Sequence, residues 1–156
     1  MMAQVYLREI ESTDLPEFFE HQRDPIANLM AAFPPREREA FMTHWNKILA
    51  DDKVIKRTIL NQSEVAGNVV CYERSGELLI GYWLGRKFWG QGVASRAISE
   101  FVSSIPARPL HAHVAKQNVA SIRVLEKCGF QVSGESCAAA ATGGEAVDEF
   151  IYSLFE

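Results

Sequence analysis

Apolar and polar positions along the chain follow two rhythms. Val5, Leu7 and Glu9 alternate with Tyr6, Arg8 and Ile10, which predicts a first strand over 4–10 with mixed faces. Ser12-Thr13-Asp14 then offers N-caps for a helix through about Gln22, with Glu17 three residues past Asp14. Residues 23–33 read as a second short helix after Pro25, broken by Pro34-Pro35. A third helix runs from Arg36 to about Ala50, with a proline in or beside its first turn. Three strand-length runs follow, 54–60, 65–73 and 78–84. They are joined by Asn61-Gln62-Ser63-Glu64 and by Ser75-Gly76, and short polar turns of this kind predict an antiparallel meander.

Past Leu84 the helical period returns. A loop, Gly85 to Gln91, leads into a helix from Gly92 to about Ser104, and Pro106 and Pro109 follow it. Residues 110–114 form a short strand, and Asn118 opens a helix that stops at Cys128-Gly129. Residues 130–136 are a strand, 138–144 a small-residue hairpin loop, and 148–155 a strand that closes the sheet. The order strand, glycine loop, helix, strand, helix, strand requires at least one parallel crossover. The expected fold class is therefore α/β, a layered α+β arrangement in one domain on a mixed sheet of about seven strands.

Composition narrows the function classes. At 156 residues the chain is long enough to bury a core without staples. The net charge of −4 gives no broad nucleic-acid footprint. No apolar run approaches the ~20 residues that cross a bilayer, so neither nucleic acid nor membrane is expected as a partner. The first residues pattern as a strand rather than a signal peptide. Cys71, Cys128 and Cys137 lack metal-ligand spacing and read as reduced thiols, which points to a cytoplasmic protein. His21, His44, His111 and His113 include no HExxH pair, and no metal is expected.

The chemistry-bearing segment is Trp89-Gly90-Gln91-Gly92-Val93-Ala94. A helix start leaves backbone N–H groups without internal partners and adds partial positive charge. Glycines at 90 and 92 let that backbone approach a bulky anion, although the same two residues also suit a plain turn. A Walker loop is absent. A dinucleotide fingerprint fails at Arg96, where the third glycine would stand.

Two segments resemble the GNAT superfamily of N-acetyltransferases, in particular the branch that includes the ribosomal-protein alanine acetyltransferases. One runs from Ile80-Gly81-Tyr82-Trp83-Leu84 through the glycine loop to Ala94 and is similar to the family's fourth strand and pyrophosphate loop. The other runs from Asn118 through Ser121 to Gly129-Phe130 and is similar to its Asn-led helix. The resemblance implies helices on both faces of the sheet and acetyl-CoA as co-substrate. It implies that main-chain groups of Trp83 and Leu84 pair with the acetyl carbonyl and pantetheine. By the same resemblance, N–H groups of Trp89, Gly90, Gln91, Gly92, Val93, Ala94 and Ser95 hold the pyrophosphate. Asn118 contacts the pantetheine through its amide, and Ser121, one turn on, faces the sulfur. Many relatives carry at position 125 a tyrosine that protonates the leaving thiolate; this chain has Leu125, and Ser121 or water is the substitute.

Direct attack needs a neutral amine, so some group must take its proton. The family's fourth-strand Glu corresponds to Leu78, and its fifth-strand Glu to His113. Imidazole suits a base near neutrality. His113, a water chain, and Glu20 or another N-terminal acid stay open as bases. The acidic residues Glu9, Glu11, Asp14, Glu17, Glu20 and Asp24 either draw a cationic acceptor or form a solvated face. Phe33, Phe41 and Trp45 belong to the core or to the wall of an acceptor pocket, with the core favoured. The expected function is acetyl transfer to a primary amine. The alternatives are a CoA-binding sensor or interaction module without transferase activity, and a nucleotide-binding or structural domain without CoA. A protein N-terminus, a polyamine, an aminoglycoside-like compound or an amino-acid derivative all fit as acceptor, and the chain is a monomer or a homodimer.

Overall fold

The computed structural model describes residues 4–139 and 146–156. Seven strands form one sheet: β1 (Val5–Arg8), β2 (Ile55–Asn61), β3 (Glu64–Arg74), β4 (Glu77–Leu84), β5 (Leu110–Ala115), β6 (Gln131–Ala139) and β7 (Ala146–Leu154). Five helices accompany them: α1 (Leu15–Gln22), α2 (Pro25–Ala31), α3 (Arg38–Ala50), α4 (Val93–Ser103) and α5 (Val119–Lys127). Pro25 starts α2, and Ala32, in the left-handed region at φ 53°, ends it. The sheet order is β1-β2-β3-β4-β5-β7-β6. β2 to β4 form the predicted antiparallel meander, β1 pairs antiparallel with β2, and β4 and β5 are the parallel pair.

The last strand does not close the sheet at its edge. β7 folds back between β5 and β6, with Leu110 opposite Leu154 and Gln131 opposite Ser153. The side chains give the reason. Tyr152, Ser153 and Leu154 are buried in succession, as an interior strand demands, whereas β6 is largely exposed over 131–137. The loop expected over 138–144 falls mostly outside the described residues; Ala138 and Ala139 continue β6.

Each sheet face carries its own core. α4 and α5 cover one face through Val93, Ala97, Ile98, Phe101 and Leu125, packed with Ile59, Leu110 and Tyr152. α1 and α3 cover the other through Leu15, Phe18, Phe41 and Trp45, with Val65 and Val70 beneath. Side chains alternate between faces along a strand. Ile80 and Tyr82 therefore point toward α4 and α5, while Trp83, His111 and His113 point toward the N-terminal helices. Burial of these two clusters at roughly 25 cal/mol per Å2 of apolar surface is the main force holding the layers together.

Asp14 turns inward from the acidic N-terminal stretch. It is 2% exposed and accepts from Arg8 Nη1 at 2.7 Å and Nη2 at 2.9 Å, from Thr58 Oγ1 at 2.7 Å, and from the Glu11 N–H at 2.9 Å. Burial opposes its ionisation, but the hydrogen bonds from Arg8, Glu11 and Thr58 outweigh that, and its pKa lies below the ordinary carboxyl value. The resulting stabilisation is present above the ordinary carboxyl range and is lost as pH falls through the lowered value. Asp14 thus ties β1, β2 and the start of α1 together and is not an attractor for ligands. Glu11 caps the short 3-10 turn at Ser12–Asp14, and Asp14 holds the N-cap position of α1 without a side-chain cap bond.

Candidate active site

β4 and β5 are paired only at Leu78 with Leu110 and Leu79 with His111. Beyond those residues the two strands part, and the sheet opens along Ile80–Leu84. Hydrogen bonding divides the main chain of this stretch. The Gly85 N–H donates to the Ala66 carbonyl at 2.8 Å. The Trp83 carbonyl oxygen lies 2.1 Å from where a Gly67 Cβ would stand, so position 67 has no room for a side chain. Trp83 and Gly85 therefore turn their main chain toward β3, and alternation turns that of Tyr82 and Leu84 toward the opening. The Leu84 carbonyl is already taken by the Trp89 indole N–H at 3.0 Å. Main-chain pairing through Trp83, expected from the sequence, is corrected: the groups facing the opening are those of Tyr82 and the Leu84 N–H. Trp83 reaches the opening with its side chain, whose indole N–H donates to the His21 carbonyl at 3.1 Å.

A cleft of about 470 Å3 lies on the α4–α5 side. Its floor is the glycine loop. Gly90 and Gly92 stand at φ +73° and +77°, where L side chains are strained, and no atom lies within 4 Å of either prospective Cβ. Gly92 is the N-cap of α4, and the first intrahelical bond runs from the Arg96 N–H to the Gly92 carbonyl. The N–H groups of Val93, Ala94 and Ser95 thus have no carbonyl in the helix, and no acidic residue sits in its first turn. Donors in series, open space and the positive end of a helix make this a fit for a phosphate-bearing group. Trp89, Gly90, Gly92, Val93, Ala94 and Ser95 all line the cleft. Gln91 does not line it; its side chain braces the loop by donating to the Lys87 carbonyl at 2.9 Å.

The far wall is α5. Asn118 caps it, its Oδ1 accepting from the Ser121 N–H at 3.3 Å, which leaves the amide nitrogen to donate into the cleft. Ser121 lies one turn further, and its Oγ is 2.7 Å from the Tyr82 hydroxyl. Leu125 is 1% exposed and belongs to the core. Tyr82 went unremarked in the sequence, although it stands inside the motif quoted there. The alternation that puts it on the α5 face was the available signal.

A second cleft, about 390 Å3, opens on the opposite face. It shares Ala31, Tyr82, Trp83, Asn118 and Ser121 with the first, so the two communicate through the gap between β4 and β5. His113 and Glu149 line it together, with His113 Nδ1 3.4 Å from Glu149 Oε1. His111, on the same strand face, is instead tied by Nδ1 to the buried Ser153 Oγ at 2.6 Å. Phe33 forms a wall of this cleft, its ring 5.9 Å from that of Trp83, and so leaves the core to Phe41 and Trp45. Glu20 is exposed and pairs with Arg23 at 3.2 Å, away from either cleft. Asp24 pairs with Arg86 at 2.8 Å. The acidic residues of this stretch line neither cleft.

Among the described residues no group of three or more His, Cys, Asp or Glu could hold a metal ion. Among them, too, no helix is long and apolar enough to cross a membrane.

Residues 4–131 match the family model for the acetyltransferase (GNAT) domain. An uncharacterized N-acetyltransferase p20 from Bacillus licheniformis is 31% identical over 88 residues, covering 54% of this chain and 49% of the relative. The chain therefore matches about half the length of that protein. A GNAT-family acetyltransferase from Bacillus anthracis superposes with a TM-score of 0.81 at 20% identity, over 99% of this chain and 98% of that one. A spermidine N-acetyltransferase from Vibrio cholerae, solved with CoA and spermine, superposes with a TM-score of 0.80 at 18% identity, over 97% and 95%.

Proposed function

This chain belongs to the GNAT acetyltransferase family, and on that premise we propose that it transfers an acetyl group from acetyl-CoA to a primary amine by direct attack through the gap between β4 and β5. The observation that carries this reading is the joining of two clefts at one opening, one floored by unpartnered main-chain N–H groups and the other holding an imidazole–carboxylate pair.

Acetyl-CoA, when bound, supplies an acyl group activated as a thioester. The chain's residues do the rest. The Val93, Ala94 and Ser95 N–H groups hold the pyrophosphate, and the Asn118 amide and the main chain of Tyr82 and Leu84 hold the pantetheine as a strand beside β4. Donors along this edge also stabilise negative charge developing on the acetyl oxygen, an effect commonly worth about 3 kcal/mol per donor. His113 accepts the amine proton. With Nδ1 turned to Glu149, the neutral ring donates there and presents Nε2 to the acceptor, so Glu149 sets the tautomer.

Charge around the second cleft supports an acceptor with a single amine on an extended body, such as a peptide N-terminus or an amino-acid derivative. The groove that continues it contains Phe33, Pro34 and Pro35. Among the described residues lining the two, Glu149 and Asp148 are the acids and Arg23, Arg74 and Lys116 the cations, Arg23 being ion-paired with Glu20 and Lys116 with Glu135. A polyamine would place several ammonium groups beside those cations. The test is thiol release from acetyl-CoA across a panel of peptides, amino-acid amides, spermine and an aminoglycoside. Peptide-like monoamines are expected to exceed spermine by about tenfold in kcat/KM, the equivalent of one unfavourable charge contact of roughly 1.4 kcal/mol. Spermine as the best acceptor would overturn the acceptor class, and silence from every amine would overturn the transferase reading.

A further inference from the structure

Tyr82 is the titratable group at the opening that the mechanism above leaves without a side-chain role. It lines both clefts, and its hydroxyl meets Ser121 Oγ at 2.7 Å. Ser121 stands four residues before Leu125 on α5, so the two occupy neighbouring turns of one helix side. A phenol is missing from position 125, and another arrives at the adjoining turn from β4.

We propose that Tyr82 is a positioning residue for Ser121: its hydroxyl donates to Ser121 Oγ and thereby aims the one Ser121 proton into the cleft, at the sulfur of the acyl donor. The inference rests on reading this cleft as the acetyl-CoA site. The polarity follows from the relative acidity of the two hydroxyls. A phenol and a serine hydroxyl each carry one proton. Among the described residues the Tyr82 hydroxyl makes no other hydrogen bond, and the Ser121 hydroxyl makes none besides this one. Both side chains line the clefts, so either polarity leaves one proton facing open space. The phenol is the more acidic hydroxyl and the stronger donor, and with Tyr82 donating, the proton that faces the cleft is that of Ser121.

The same polarity holds over the working pH range. Burial pushes Tyr82 up to about 12, against the opposing pull of the Ser121 hydrogen bond, so the phenol stays protonated. Cys128, the other titratable group acting on Tyr82, is itself pushed up by burial and stays a neutral thiol near pH 7. An ordinary thiol ionises near ~8.5. Proton transfer from this phenol to a thiolate is therefore uphill, and the Tyr82–Ser121 chain acts as a fixed hydrogen-bond donor to the sulfur. No bond to hydrogen is made or broken in Tyr82, and the thiolate takes its proton from solvent after it departs.

The probes are CoA and desulfo-CoA, which differ only at the sulfur. Their binding is measured by calorimetry from neutral to alkaline pH in wild type, Tyr82→Phe, Ser121→Ala and the double variant. The wild type is expected to prefer CoA increasingly as the thiol ionises, reaching about tenfold, as one charge-assisted hydrogen bond provides. Tyr82→Phe and Ser121→Ala should each abolish that rise, the double variant should add nothing, and desulfo-CoA affinity should stay at the wild-type value throughout. In turnover, Tyr82→Phe should lower kcat with little change in the KM for acetyl-CoA. A Tyr82→Phe protein that keeps the pH-dependent preference overturns the proposal. So does one that loses desulfo-CoA affinity to the same degree, since that marks a purely structural side chain. Wild type that binds neither probe overturns the reading of the cleft itself. Wild type that binds both without preference overturns only the role given to Tyr82.

Discussion

Gly92→Asp is expected to weaken acetyl-CoA binding by about a hundredfold or more, since two charge-assisted hydrogen bonds of roughly 1.5–3 kcal/mol each are lost. The substitution separates binding from folding. Gly92 is an N-cap in the left-handed region, at φ +77°. Aspartate visits that region more readily than most residues and is a favoured N-cap, so the start of α4 should persist. No atom lies within 4 Å of the prospective Cβ, so nothing in the chain has to move. The new carboxylate would sit in the N–H cradle and compete for the Val93, Ala94 and Ser95 donors while repelling a pyrophosphate. Calorimetry with acetyl-CoA, beside a thermal melt of the unliganded protein, reads both effects. Wild-type affinity in a folded Gly92→Asp protein would remove the cradle from the site.

The second large effect belongs to His113. His113→Ala is expected to lower kcat by about 100- to 1,000-fold, the usual contribution of a positioned base. The KM for acetyl-CoA should change little, because His113 lines the cleft on the other face of the sheet from the glycine loop. Glu149→Gln should give a smaller loss. Its amide can still accept from Nδ1–H, but it stabilises the imidazolium less than a carboxylate 3.4 Å away does. Steady-state rates with a saturating peptide acceptor separate these cases. Full activity in His113→Ala would assign proton removal to water.

Much of the scaffold was legible because it is written locally. Period-two runs gave the strands, and Pro25, Gly92 and the Cys128-Gly129 stop marked helix ends where they were predicted, to within a residue or two. The glycine loop was legible for the same reason, since an N–H cradle needs only the few residues at one helix start. What failed depended on partners far along the chain. Asp14 stands at the predicted N-cap of α1, but its side chain makes no cap bond there and turns instead to partners that include Thr58, 44 positions away. The last strand's period could not tell an edge from the slot beside β5. Trp83 and Leu84 were named as a pair, and only the register against β3 showed that their main chains face opposite ways. His113 meets Glu149 across 36 positions and Tyr82 meets Ser121 across 39, so the sequence singled out His113 and Ser121 without the partner of either.

The central claim is that an amine in the second cleft attacks an acyl donor in the first, with no acyl-protein stage between them. Single-turnover mixing tests it. Protein preloaded with acetyl-CoA is mixed with a peptide acceptor, and thiol release, acetylated product and intact protein mass are followed together. The account predicts that thiol appears only when the amine is present, in step with acetylated peptide, while the protein mass never changes. Tight acetyl-CoA binding with no amine-dependent release, or thiol release without amine from a protein that becomes acetylated, would contradict it.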